Sequence, residues 1–342
     1  MQASSRSVRL MGTVIETKIW HENPEPILDQ VENLLILYKD RFSANDLTSE
    51  LMEVNLNAGV QAVPVAEDLY ELIKLGKEHS LADKSFLNIT IGPLVQTWRI
   101  GFSDAKLPSQ EEIDEKLAII DPADIELDDE DMLVYLEKEG MAIDLGALAK
   151  GYVADRIVEF LERMGVTAGL INLGGNVKTF GQAPHNPDGN WLIGIQDPGK
   201  ERGQNILVLQ IIQESVVTSG IYERSLTVEG KTYHHILSPQ TGYPIASELA
   251  SISIVSKRSV DGEIWTTRLF GQSMTEIYRT VCQTEGIEAV LIGLDGKVFV
   301  TPGLVDRVVA GKQHLSDGLA SPSRGGFGAR VTSDVASGAS AL

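Results

Sequence analysis

The chain has 342 residues, with 48 acidic and 29 basic side chains and a net charge of −19 at neutral pH. Apolar residues make up 43% and charged residues 23%, the composition of a folded globular protein, which excludes wholesale disorder and a collagen-like fibre. The acidic excess argues against a nucleic-acid binder, which needs clustered Lys and Arg, so any phosphate ligand must be held by local backbone groups or a metal.

Residues 8–20 alternate apolar and polar and predict a strand interrupted near Gly12. Ile27, Val31, Leu34, Leu35 and Tyr38 share one face of a helix over 25–40. Helical patterns recur at 66–82 and 109–120, the second opening with Ser109 and Glu112 at capping-box spacing. Two short strands over 123–143 flank the acidic run Asp128–Asp131, read as a solvated hairpin tip. A helix over 146–164 ends at Gly165, and the apolar run 168–173 leads to a Gly174-Gly175 break. Strands follow at 176–181, 191–196, 205–212, 215–219 and 250–256, then helices at 260–271 and 274–285, and a hairpin over 288–301 turning at Asp295-Gly296. The single cysteine, Cys282, falls in a helical pattern and reads as a small buried hydrophobe. Strands and long helices that do not strictly alternate favour an α+β fold over a doubly wound parallel sheet.

No window reaches the roughly 18 consecutive apolar residues of a membrane span, and the start lacks the apolar stretch of a signal peptide. The chain as given is therefore expected to be cytoplasmic; an exported protein that had lost its leader would look the same. Residues 311–342 are rich in Gly, Ser and Pro and carry a net +1, which predicts a flexible tail after a folded region over 1–310.

Neither a G-x-G-x-x-G turn nor a P-loop is present. In Ala142–Asp155, Asp144 ends a strand, Gly146, Ala147 and Ala149 allow close approach at a helix start, and Lys150 is placed to face the same pocket, a setting that favours an anion. His234 and His235 precede Leu237-Ser238-Pro239; adjacent strand residues face opposite sides, so at most one serves a given site, as hydrogen-bond partner, acid or base. In Val260–Gly271, Glu263 and Thr267 are i,i+4 neighbours presenting a carboxylate and a hydroxyl, oxygen ligands suited to Mg²⁺. The competing reading makes Asp261 a helix cap and Glu263 an exposed side chain.

In this order the segments resemble the ApbE family of FAD:protein FMN transferases. The resemblance is carried by Met11-Gly12-Thr13; Phe42-Ser43 with Ser49-Glu50 and Asn55; Asn88-Ile-Thr-Ile-Gly-Pro-Leu-Val-Gln-Thr-Trp98; Ile143–Asp155; Asn172-Leu-Gly-Gly; Trp191 with Ile195–Pro198; Thr218-Ser-Gly; and His235-Ile-Leu-Ser-Pro-Gln-Thr-Gly, spanning roughly residues 8–301. It implies a two-lobed α+β fold with mixed or antiparallel sheets, flanking helices and FAD in the cleft. It further implies a Mg²⁺-dependent transfer of FMN from FAD to a Thr or Ser hydroxyl of a target flavoprotein, releasing AMP. By position, Met11, Asn45, Phe86, Leu87, Asn88, Asp144, Lys150 and Ile236 are expected to contact FAD, the Ala147 carbonyl to ligate Mg²⁺, and His235 to assist proton transfer from the acceptor.

The chain departs from the family pattern in four places. Asn45 stands where an aromatic residue is usual, Asn88 replaces a common Asp, and Ser238 replaces the Asp of His-x-x-Asp-Pro. The usual Asp-x-x-x-Thr metal motif counted from Asp261 puts Trp265 at the hydroxyl position, so the register Glu263 with Thr267 is preferred and Asp261 is the alternative. The same residues suit an FAD pyrophosphatase yielding FMN and AMP, and substituted site positions admit a non-catalytic flavin-binding protein. Finally, Asp334-Val-Ala-Ser-Gly-Ala-Ser340 resembles the acceptor pattern of FMN-carrying proteins, which raises self-modification at Ser340 as an expectation.

Overall fold

The computed structural model describes residues 2–316; Ser340 and the acceptor-like motif lie outside them. The interrupted strand at the start is a hairpin of β1 (Gln2–Leu10) and β2 (Thr13–His21). Its two turn residues, Met11 and Gly12, both have positive φ (51° and 72°), the backbone of a tight two-residue hairpin. Then come α1 (Glu25–Phe42), α2 (Glu50–Leu56), β3 (Val63–Pro64), α3 (Glu67–Ser80), α4 (Gly92–Trp98), α5 (Gln110–Leu117), β4 (Ile125–Asp128), β5 (Leu133–Leu136) and α6 (Ala149–Arg163). Next are β6 (Gly169–Leu173), β7 (Asn176–Phe180), β8 (Trp191–Gln196), β9 (Asn205–Ile211), β10 (Ser215–Gly220), β11 (Ser225–Val228), β12 (Lys231–His234) and β13 (Leu249–Ser256). The order ends with α7 (Ser259–Leu269), α8 (Met274–Gln283), β14 (Ile287–Gly293), β15 (Val298–Val300) and β16 (Val308–Ala310).

One eight-stranded sheet, in the order β1-β2-β6-β7-β10-β13-β14-β15, organises the molecule, and its strand pairings are antiparallel. Its face at Ile15, Ile19, Ile171 and Leu173 is covered by α1, α2, α3 and α6, whose apolar stripes meet in the largest core. The stripe on α1 runs Ile27, Leu28, Val31, Leu35, Tyr38, Phe42, which is helical spacing. The opposite face packs on the small sheet β16-β9-β8 through Trp191, Leu209 and Val216. β13 is buried along its whole length because α7 and α8 cover one side and this second core the other. A fourth core centres on Trp98, whose indole Nε1 donates to the Gly242 carbonyl at 2.8 Å.

The fold is thus the expected α+β arrangement. Ser109 and Glu112 form the anticipated capping box, and Asp129 at the acidic hairpin tip meets Tyr70 and Lys74 at the surface. Cys282 corrects the expectation: α8 buries Met274, Ile277 and Val281, and Cys282, about 100° further round the helix, is exposed. Among the described residues no helix is long and apolar enough to cross a membrane.

Candidate active site

The segment 142–150 is held from two sides before it enters α6. Asn55 on α2 brackets Ile143, accepting from its amide at 2.7 Å and donating to its carbonyl at 3.0 Å. The Asp144 amide donates to the Ile89 carbonyl at 2.8 Å. The Asp144 carboxylate in turn accepts from the Gly146 amide at 2.7 Å, tightening the turn that leads into α6. Burial pushes the Asp144 carboxyl above the usual carboxylate range, against the opposing pull of the Gly146 amide and the Arg224 charge.

From α6 the Lys150 ammonium reaches Glu263 of α7, with Nζ 3.1 Å from Oε1. Glu263 is buried at 4% exposure, so this carboxylate needs partners. Besides Lys150 it accepts from Asn176 Nδ2 at 2.9 Å, again through Oε1; among the described residues no group bonds Oε2. Asn176 is itself fixed, its Oδ1 accepting from Ser259 Oγ at 2.6 Å, and Ser259 Oγ accepts from Ser215 Oγ at 2.9 Å. Beneath this row Asp155 of α6 accepts the first two amides of α7, Ser259 at 2.8 Å and Val260 at 3.0 Å. Arg258, the residue preceding α7, supplies no capping side chain, so the cap comes from another helix.

The two carboxylates of the α7 motif have different surroundings. Glu263 faces Lys150 and Asn176, whereas Asp261 is turned toward Arg258, 3.7 Å away, and influences His79 on α3. The competing reading, Asp261 as the cap with Glu263 exposed, does not describe the fold: Asp155 is the cap and Glu263 is buried. Of the two threonines, Thr266 is buried and donates to the Glu263 carbonyl at 3.0 Å. Thr267, one turn from Glu263, is half-buried and among the described residues its hydroxyl has no hydrogen-bond partner. Among those residues no three His, Cys, Asp or Glu side chains converge as a metal cage. A hard cation here would therefore combine one carboxylate with hydroxyl and backbone oxygens.

The two adjacent histidines part as strand geometry requires. His234 turns inward: Nε2 lies 3.0 Å from the Ile245 carbonyl, Nδ1 accepts from the Ile236 amide, and the ring stacks edge-on against Phe270. His235 faces the other way, with Nδ1 3.3 Å from the Arg224 carbonyl. A carbonyl only accepts, so that bond assigns the proton to Nδ1 and leaves Nε2 as the basic nitrogen. Burial lowers its pKa to about 4, against the opposing pull of the bond to the Arg224 carbonyl, with the charges of Arg224, His234 and Lys150 adding to the lowering. His235 is therefore neutral at pH 7 and within electrostatic reach of Lys150.

The remaining candidates are spread over other elements. Met11 is at the β1–β2 turn and Asn45 lines a cleft of about 280 Å³ with Met52, Asn55, Gln96 and Ile143, its Oδ1 accepting from Gln96 at 3.0 Å. Phe86 and Leu87 direct their side chains into two cores, and the Phe86 amide donates to the Arg268 carbonyl, tying that segment to α7. Ile236 joins the core at α7–α8. Asn88 spends its amide inside the protein, donating to the Ile120 carbonyl at 2.7 Å and accepting from the Thr90 amide and hydroxyl. Ser238 does the same for the next turn, accepting from the amides of Gln240 and Thr241. Both residues thus perform the turn-building work of the carboxylates they replace. Sequence reasoning missed Asn176, Asp155 as cap, and Arg224; Asp155 closes one quoted segment and Asn176 directly follows another, but their partners are about 90 to 100 residues away in the chain and give no local signal.

A sequence profile of the ApbE family matches residues 11–291. A FAD:protein FMN transferase of Klebsiella pneumoniae is 40% identical over 288 residues, covering 84% of this chain and 88% of that protein. One from Treponema pallidum is 31% identical, covering 89% and 88%. The solved ApbE protein of Thermotoga maritima superposes with a TM-score of 0.81 at 27% identity, over 88% of this chain and 98% of that one. The flavinyl transferase ApbE of Pseudomonas stutzeri has the same fold, with a TM-score of 0.77 at 23% identity over 91% and 98%.

Proposed function

The chain belongs to the ApbE family of flavin transferases, and on that premise we propose that it cleaves the diphosphate of FAD, transfers FMN to a Ser or Thr hydroxyl of a target flavoprotein and releases AMP. The observation that carries this reading is the buried Glu263, held by Asn176 and Lys150, together with a neutral His235 within reach of the same lysine. In the proposed reaction His235 Nε2 accepts the proton of the acceptor hydroxyl. The hydroxyl oxygen bonds to the FMN phosphorus, and the bond from that phosphorus to the bridging oxygen breaks, its electron pair leaving with AMP. Lys150 supplies positive charge to the diphosphate, and Asp144, with Gly146, sets the path of the backbone beside it.

Mg²⁺ fits the donor set. The buried Glu263 leaves Oε2 without a protein partner, Thr267 leaves its hydroxyl, and Ala147 sits at the facing helix start, all hard oxygens. These three would hold the ion, with Asp261, 3.7 Å from Arg258, as the alternative carboxylate. Bound there, Mg²⁺ would neutralise charge on the diphosphate oxygens.

The test is incubation of the full chain with FAD and Mg²⁺, with and without a target flavoprotein. Covalent flavin fluorescence on the target after denaturing electrophoresis, with AMP in equal amount, is expected. FMN and AMP formed without any target would assign water as acceptor and make the protein an FAD pyrophosphatase. Flavin bound without AMP would leave a non-catalytic carrier. Ser340 is a further proposed acceptor; absence of an FMN adduct on the intact chain, or an adduct that persists in Ser340→Ala, removes it.

A further inference from the structure

Two glycines and an arginine converge from separate loops at the edge of this centre. Arg224 immediately precedes β11, and its backbone carbonyl is the one that orients His235. The side chain runs over Gly101, where a Cβ would stand 2.9 Å from its Cδ, and ends at the β1–β2 turn, where a Cβ on Gly12 would stand 3.2 Å from its Nη2. Both glycines have positive φ, 94° and 72°, so a side chain at either position would strain the backbone as well as crowd the arginine. The adjacent carboxylate, Glu223, is paired with Arg202 at 3.2 Å. Among the described residues no carboxylate stands within ion-pair distance of the Arg224 guanidinium. Its charge is nonetheless felt by Asp144 and His235.

Arg224 is exposed, and its side chain, without an acidic partner among the described residues, runs along two glycine-faced turns to the hairpin that carries Met11, in a chain of net charge −19. We propose that Arg224 is a diphosphate-binding residue, gripping the phosphate oxygens of FAD from the β11–β12 side while Lys150 approaches from α6. The planar guanidinium offers paired N–H donors that match two phosphate oxygens at once, which a lysine ammonium does not. Arg224 thereby links ligand binding to His235, because the residue that holds the phosphate also supplies the carbonyl that fixes the imidazole tautomer. This inference rests on the flavin-transfer reading.

The test compares wild type with Arg224→Gln and Arg224→Lys, titrating each full chain with FAD and, as a flavin without phosphate, with riboflavin. Loss of a charge-assisted phosphate contact is expected to raise the FAD Kd about 10- to 100-fold in Arg224→Gln, with partial recovery in Arg224→Lys and riboflavin binding changed less than about twofold. An FAD Kd unaltered in Arg224→Gln, or an equal loss of riboflavin binding, overturns the assignment of Arg224 alone. Wild type that binds no FAD overturns the flavin-transfer reading and this inference with it.

Discussion

Asp155 lets the coupling between scaffold and site be measured. Its carboxylate is buried, accepts the Ser259 and Val260 amides at 2.8 and 3.0 Å, and lies 3.9 Å from the Lys178 ammonium. In Asp155→Ala both amides remain inside the protein without an acceptor. At about 1–3 kcal/mol for each unsatisfied buried group, and allowing for the relieved desolvation of the carboxylate, the expected loss is about 2–5 kcal/mol. Asp155→Asn keeps one acceptor and should lose about 2 kcal/mol. Since Ser259 also holds Asn176, and Asn176 holds Glu263, the truncation should loosen the carboxylate as well as the helix. Urea unfolding of the full chain, followed by circular dichroism with EDTA and without flavin, measures the loss free of ligand stabilisation. A cost below about 1 kcal/mol for Asp155→Ala, or equal costs for the two variants, would refute the capping account.

His235 should give the pH profile its acid limb. With its pKa near 4, a transfer rate that needs the neutral imidazole stays level from pH 8 to about 5 and falls toward pH 4; a break near the ordinary value of 6.5 contradicts the burial argument. The same depression has a sign for stability: the unfolded chain takes this proton near 6.5 and the folded one only near 4, so stability falls as pH drops through that window. Removing the base in His235→Asn should slow transfer about 10²- to 10⁴-fold, read from covalent flavin accumulation. Trp98→Phe deletes a fully buried indole and its bond to Gly242 and should cost about 2–4 kcal/mol in the same unfolding assay. Asn55→Ala frees both backbone groups of Ile143 and should cost about 2 kcal/mol. No measurable change in either variant counts against the bracing of those segments.

What the sequence disclosed depended on whether the cause was local. The helix at Glu25–Phe42 and the capping box at Ser109 follow from spacing within one turn or a few, and both were legible. The short helix Gly92–Trp98 was not, because seven residues give too little period and Trp98 is buried by partners from 233 to 243. The hairpin β11–β12 was missed since its strands have only four residues each and none of those residues is buried, so the polar–apolar alternation of Ser225–Val228 is too short to stand out. At the site, i,i+4 spacing proposed Glu263 with Thr267 but left Asp261 open; what favours Glu263 is its contacts to Lys150 and Asn176, which lie on other elements. The acidic balance argued against a nucleic-acid groove, and it gave no sign that the charges of Lys150 and Arg224 would act on His235.

The most direct measurement is covalent FMN on a target flavoprotein as a function of Mg²⁺ concentration, compared between wild type, Glu263→Gln and Asp261→Asn. Glu263→Gln keeps the side-chain volume and removes the charge. The expected result is transfer that requires Mg²⁺ in wild type, collapses in Glu263→Gln, and in Asp261→Asn retains the wild-type Mg²⁺ dependence. Collapse in Asp261→Asn with transfer intact in Glu263→Gln would contradict the register, and Mg²⁺-independent transfer by wild type would contradict the proposed chemistry.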